Sequence, residues 1–175
     1  MSIQSSDLKY RLSGGGSNTN PAAALGGAMS TVAGGVITSG LANALFDDVS
    51  GAEAAAGDIE YRCIYVENDH ASLTLTDAVV WIDGLTDSAD TELDIALDSA
   101  AVGSTAASTA ANENTAPTGG TAPTFTRPTS KGAGLAIGDI PPGDYKALWI
   151  RRTVTAGAGA ASDSGSIRVE GDTAP

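Results

Sequence analysis

The chain holds one cysteine and one histidine, and aromatic residues make up only 5% of it. A single cysteine excludes an internal disulfide. One Cys with one His also excludes a thiolate–imidazole zinc site. Any histidine-based triad would have only His70 to draw on. Cationic residues are few: 9 Lys and Arg stand against 21 Asp and Glu, for a net charge of −12. That balance repels phosphate backbones and argues against a nucleic-acid partner. No apolar run approaches the roughly 18–20 residues of a membrane helix, so no membrane partner is expected. Residues 1–8 have neither a basic start nor an apolar stretch, so no secretory signal is read there. The expectation is a soluble protein made in a cytosol, where a free cysteine is at home.

What is present is a pattern of alternation. The 175 residues suit one domain with a real core. Period-two alternation marks half-buried strands over residues 8–12, 59–67, 73–82, 91–98, 145–154 and 164–170. In the second of these, Ile59, Tyr61, Cys63 and Tyr65 oppose Glu60, Arg62, Ile64 and Val66. Apolar groups on both faces give that strand a central place. The third is expected to bulge near Asp77. In the fourth, Leu93, Ile95 and Leu97 point inward, while Glu92, Asp94 and Asp98 are expected to face water.

Between the strands the composition changes. Residues 13–40 are rich in Gly, Ala, Ser and Asn, and residues 1–40 read as an extended N-terminal arm, because the paired glycines disfavour helix. Residues 41–46 read equally as a helical turn or a strand. Residues 52–56 suit one helical turn closed by Gly57. Residues 99–123 form a low-complexity loop whose lack of large apolar groups keeps it out of a core. Residues 155–163 read as a flexible hairpin loop and residues 171–175 as an exposed tail. The fold class is all-β: an antiparallel β-sandwich, Ig-like or jelly-roll-like, spanning residues 41–170 behind the arm. A closed barrel is the competing architecture.

Few residues invite chemistry. Residues 83–90 carry Asp83, Asp87 and Asp90 but lack the EF-hand spacing, and solvated charges are the simpler reading than calcium. Asp47–Asp48 and the pair Asp139 and Asp144 are the only carboxylate pairs to weigh for glycoside hydrolysis, and neighbours on a strand point to opposite faces. His70 reads as a turn residue, with pH sensing as the sharper alternative. Cys63 reads as a buried, inert thiol. The Gly14–Gly16 run lacks the Lys-Ser/Thr ending of a phosphate loop. Trp81 and Trp149 lie mid-strand and read as core rather than as a sugar platform. Arg151 and Arg152 should point to opposite faces, with one of them bridging to acidic neighbours. No catalytic, cofactor-binding or metal-ligating residue is assigned.

Four segments carry a resemblance. Residues 45–68 hold Glu60-Tyr61-Arg62, then Tyr65 and Asn68. Residues 137–154 hold Pro142-Gly143-Asp144-Tyr145-Lys146-Ala147-Leu148-Trp149. With residues 12–21 and Leu25-Gly26-Gly27, they resemble a group of tailed-bacteriophage structural proteins of β-sandwich type. The resemblance implies a virion component without an enzymatic activity, assembled in the host cytoplasm. Its first form is a head decoration (cement) protein that binds the major capsid protein, with the arm as the contact region. It would act as a homo-oligomer, a trimer at a local threefold being one arrangement. A neck, tail or fibre-attachment protein is the second form. A carbohydrate- or cell-surface-binding module is the third reading, and a polysaccharide-degrading enzyme the last.

Overall fold

The computed structural model describes residues 2–84, 90–157 and 163–173. Alternating stretches become strands: β1 (Leu8–Leu12), β2 (Asp58–Asn68), β3 (Leu75–Asp83), β4 (Thr91–Leu97), β6 (Tyr145–Val154) and β7 (Ser166–Thr173). A further strand, β5 (Leu135–Ile140), was not legible, because Gly138 interrupts its alternation at φ +86°. The one α-helix among the described residues, α1 (Gly51–Ala56), is a single capped segment. Ser50 accepts from the Glu53 N–H, the Glu53 carboxylate accepts from the Ser50 N–H, and Gly57 closes the helix at φ +78°. Residues 41–46 form neither strand nor helix.

The strands form two antiparallel sheets, ordered β1-β2-β6-β4 and β5-β3-β7. The larger sheet turns Ile64, Val66, Ile95, Leu148 and Ile150 toward Leu75, Ala78, Val80, Ile82, Ile140 and Val169 of the smaller one. Burying each such side chain contributes about 1.5–3 kcal/mol. The expected bulge is present: Asp77 sits at φ +50° and the β3 register shifts between Leu75 and Ala78. One extra residue there lets Leu75 and Ala78 share the inward face although they are three positions apart. The Asp139 carboxylate accepts the freed Asp77 N–H at 3.0 Å.

The opposite face of the larger sheet is also apolar. Tyr61, Cys63, Tyr65, Ala96, Ala147 and Trp149 form a second cluster there with Met29, Ala106 and Ala110. Two segments expected to lie free supply the cover. Ser13, Ala24, Ser30 and Ser108 are fully buried. So the stretch after β1 is not an extended arm, and the 99–123 stretch does enter a core. Small side chains are what make this layer possible, because its backbone must come close to the sheet and to itself. Gly26 shows the need: at φ +98°, a Cβ would lie 2.5 Å from the Ser108 carbonyl oxygen.

This layer replaces a missing strand. β1 pairs with β2 only as far as Ile64. Beyond it, Ala24 O accepts the Cys63 N–H at 2.7 Å, Ser13 N–H donates to Cys63 O at 3.2 Å, and Glu113 O accepts the Tyr61 N–H at 2.7 Å. The outer edges of the larger sheet are covered too. Ile37 N–H donates to Tyr10 O, and Thr126 exchanges two bonds with Ile95 of β4. Tyr10 of β1 packs against the inter-sheet core that includes Val169 of the smaller sheet, and its burial pushes the phenol up to about 12. The expected exposed tail is corrected as well: β7 continues to Thr173, opposite Leu75. Thr173 Oγ1 there accepts the Ile3 N–H at 3.2 Å.

Candidate functional site

The densest polar node lies where β4 ends. Asp98 Oδ1 accepts the N–H of Ala100 and of Ala107, each at 2.8 Å. Asp98 Oδ2 accepts Ser108 N–H at 3.1 Å and the Trp149 indole N–H at 3.0 Å. Burial alone would raise this carboxyl, but the N–H donors outweigh it and hold it below the usual carboxylate range. Lys146 donates to Ala100 O, and burial draws its ammonium below the ordinary lysine range. Next to this node, the Tyr65 hydroxyl donates to Gly27 O at 2.5 Å and accepts Ala106 N–H at 2.8 Å. Together, Asp98 and Tyr65 pin the small-residue layer to the sheet.

Two arginine clusters follow from the β6 alternation. Arg152 reaches the inter-sheet side, where it pairs with Glu60 and donates to Asp47 O at 2.5 Å. Arg62 lies beside it, with Glu113 at 2.6 Å and Glu60 at 3.7 Å. The Phe46 ring contacts both guanidinium groups, at 5.2 and 4.9 Å from its centroid. Burial raises the Glu60 carboxyl above its ordinary value, against the opposing pull of Arg152 and Arg62. Arg151 points the other way, pairs with Asp94 at 2.7 Å and lies over Phe125. Arg127 adds bonds to Glu92 at 2.8 Å and Asp94 at 3.3 Å. Asp94 and Asp98 therefore do not face water as expected. The covering layer removes the solvent, and arginines and N–H groups replace it.

The remaining sequence candidates are scattered. Trp149 is fully buried and Trp81 is 5% exposed, with Arg168 lying 5.6 Å from its ring. Neither offers a platform for a sugar ring. Cys63 is fully buried and its thiol is pushed up by desolvation. Asp47 serves Arg152 and Asp139 serves the Asp77 bulge, so one member of each carboxylate pair is engaged by the scaffold. Gly14–Gly16 belong to the covering layer, with Gly15 N–H bonded to Ala28 O at 2.9 Å. Asp83 pairs with Arg168 at 3.1 Å. Asp87, within the acidic 83–90 stretch, lies outside the described residues, as do residues 158–162 of the hairpin loop and 174–175 of the tail. Among the described residues, no group of three or more His, Cys, Asp or Glu side chains is placed to hold a metal ion. Nor is any helix among them long and apolar enough to cross a membrane.

Sequence reasoning missed Asp98 as a node, although a signal existed. Tyr61, Cys63, Tyr65 and Trp149 load the second face of a sheet whose first face is already apolar, and such a face needs a cover. What stays open is the segment after the β1 edge. Residues 38–43 are exposed throughout, with Leu41 63% exposed, and Val32 lies exposed shortly before them. No family model, curated protein or solved structure matches the chain.

Proposed function

We propose that the chain is a non-enzymatic structural protein of a tailed-bacteriophage virion: a decoration protein, built as a β-sandwich, that binds the major capsid protein and reinforces the outer head shell. One observation carries this reading beyond the resemblance of residues 45–68 and 137–154. The groups able to do chemistry are spent on the scaffold. Asp98, Glu60, Arg62, Arg151, Arg152 and Cys63 are buried or paired in contacts that join strand to strand or loop to sheet. The two facing sheets support the sandwich, and the pinned loop layer supports a stiff surface suited to lattice contacts.

The contact region moves from the arm as a whole to residues 31–44, where Val32 and Leu41 expose apolar surface. A lattice presents its sites many times over, so modest contacts at each copy multiply. A symmetric homo-oligomer, with a trimer as its simplest threefold form, belongs to the same proposal. The net charge of −12 supports solubility before assembly and keeps the surface off packaged DNA.

The test is the copy number of this chain in purified virions, by quantitative mass spectrometry against the shell protein. Hundreds of copies support decoration. Roughly a dozen or fewer, the symmetry of a vertex, refute it and move the protein to the neck or tail. Absence from the particle refutes a virion role and returns the free binding module. A Leu41→Asp variant then tests the contact: it should fold normally and lose shell binding.

A further inference from the structure

The turn at residues 69–74 carries the chain from the larger sheet to the smaller one. Asn68 fixes its base: Nδ2 donates to Leu73 O at 2.8 Å and to Ile140 O at 2.9 Å, and Oδ1 accepts His70 N–H at 3.2 Å. The His70 ring fixes its crown. Nδ1 accepts Ser72 N–H at 3.1 Å and Leu73 N–H at 3.0 Å. Two donors on Nδ1 require a lone pair there, so the ring proton sits on Nε2. A half-turn of the ring would set a carbon against both N–H groups, so the same bonds fix its orientation. An imidazolium carries N–H on both nitrogens and accepts nothing.

We propose that His70 is an acid-released latch: its neutral ring holds the crown of the sheet-to-sheet turn, and protonation at Nδ1 frees residues 71–73 while Asn68 keeps the strand ends in place. The surrounding charges do not restore what is lost. Asp69 is engaged by Lys9 of β1. Asp7, just before β1, gives its carboxylate to Gln4 N–H and its carbonyl to Asp69 N–H. Asp139 of β5 is turned to Asp77 N–H, and Asp144, in the turn before β6, meets Asn68 N–H through its carbonyl. None of these carboxylates bonds the His70 ring, so the imidazolium gains no direct ion pair in exchange for two lost acceptor bonds.

The experiment is amide hydrogen exchange by NMR on the full chain, at about pH 7.5 and about pH 5, the range over which imidazole titrates. Rates are corrected for intrinsic exchange. Protection at Ser72 and Leu73 should fall roughly tenfold or more at the acid pH, as two bonds are lost. Protection at Ile64 and Ile150 should not change. In His70→Asn, the side-chain oxygen remains an acceptor that acid does not fill, so the acid-induced loss should vanish. The ring nitrogen spectrum of the unaltered protein, which needs no variant, should show an unprotonated Nδ1 at about pH 7.5. A protonated Nδ1 there overturns the proposal. So does unchanged protection at Ser72 and Leu73 in acid, or equal acid loss in His70→Asn.

Discussion

Replacing Asp98 with Asn tests whether one carboxylate holds the loop layer in place. The swap keeps shape and removes charge. An amide offers one oxygen where Asp98 offers two, and four N–H donors converge on the site. Whichever way the amide turns, two of them meet an NH2 group. A buried donor left without an acceptor costs about 1–3 kcal/mol, so the pair costs about 2–6 kcal/mol. That is a large part of the roughly 5–15 kcal/mol that keeps a domain folded. Urea unfolding followed by far-UV circular dichroism and tryptophan emission measures it, with the exposed Asp172→Asn as a control expected within about 0.5 kcal/mol of the unaltered protein. In a Trp149→Phe background one donor is already gone, and the Asp98→Asn penalty should shrink by about 1–3 kcal/mol. A loss below about 1 kcal/mol for Asp98→Asn would refute the pinning role. The pH dependence has a definite sign. Because the folded carboxyl lies below its ordinary value, its stabilisation is complete above about pH 4 and fades as pH falls through the lower folded value.

Two further outcomes follow from the same layer. Gly26→Ala should lower the urea midpoint by more than a surface change does. Its Cβ would meet the Ser108 carbonyl oxygen at 2.5 Å in a backbone conformation that alanine disfavours, and a midpoint within error of the unaltered protein would count against this packing. Cys63 should stay silent to an aromatic disulfide reagent in native buffer and react fully in denaturant. Prompt native reaction would contradict its place under the layer.

How far the sequence could be read depended on side-chain size. Leu93, Ile95 and Leu97 stand opposite Glu92, Asp94 and Asp98, and Tyr145 to Ile150 place large apolar groups on both faces of an extended run, so β4 and β6 were evident. Helix α1 was evident from Gly57 and its alanines. β5 was hidden because six residues broken by Gly138 leave too few alternations to register. The loop layer was hidden for a different reason. Alanine, serine and glycine look like solvent-facing linker in composition, yet the same smallness lets backbone lie flat on aromatic faces. Ala106 and Ala110 are buried against Tyr65 and Trp149 by that means. The node at Asp98 was misread because alternation states which face a residue occupies, and only tertiary structure states whether water reaches that face.

The bond between Ile3 and Thr173 brings the two ends of the described chain to one pole of the molecule. Peptides grafted at either end would therefore leave from the same spot and share one distance from anything the protein sits on. Under the proposed shell-binding role, antibody labels on tags placed at the two ends should coincide in electron micrographs of the particle. A short peptide joining the ends would span little space, and new ends could be opened in the exposed stretch at residues 38–43. That rearranged chain would keep every strand pairing intact, and it would turn the segment proposed to meet the shell into a pair of loose ends.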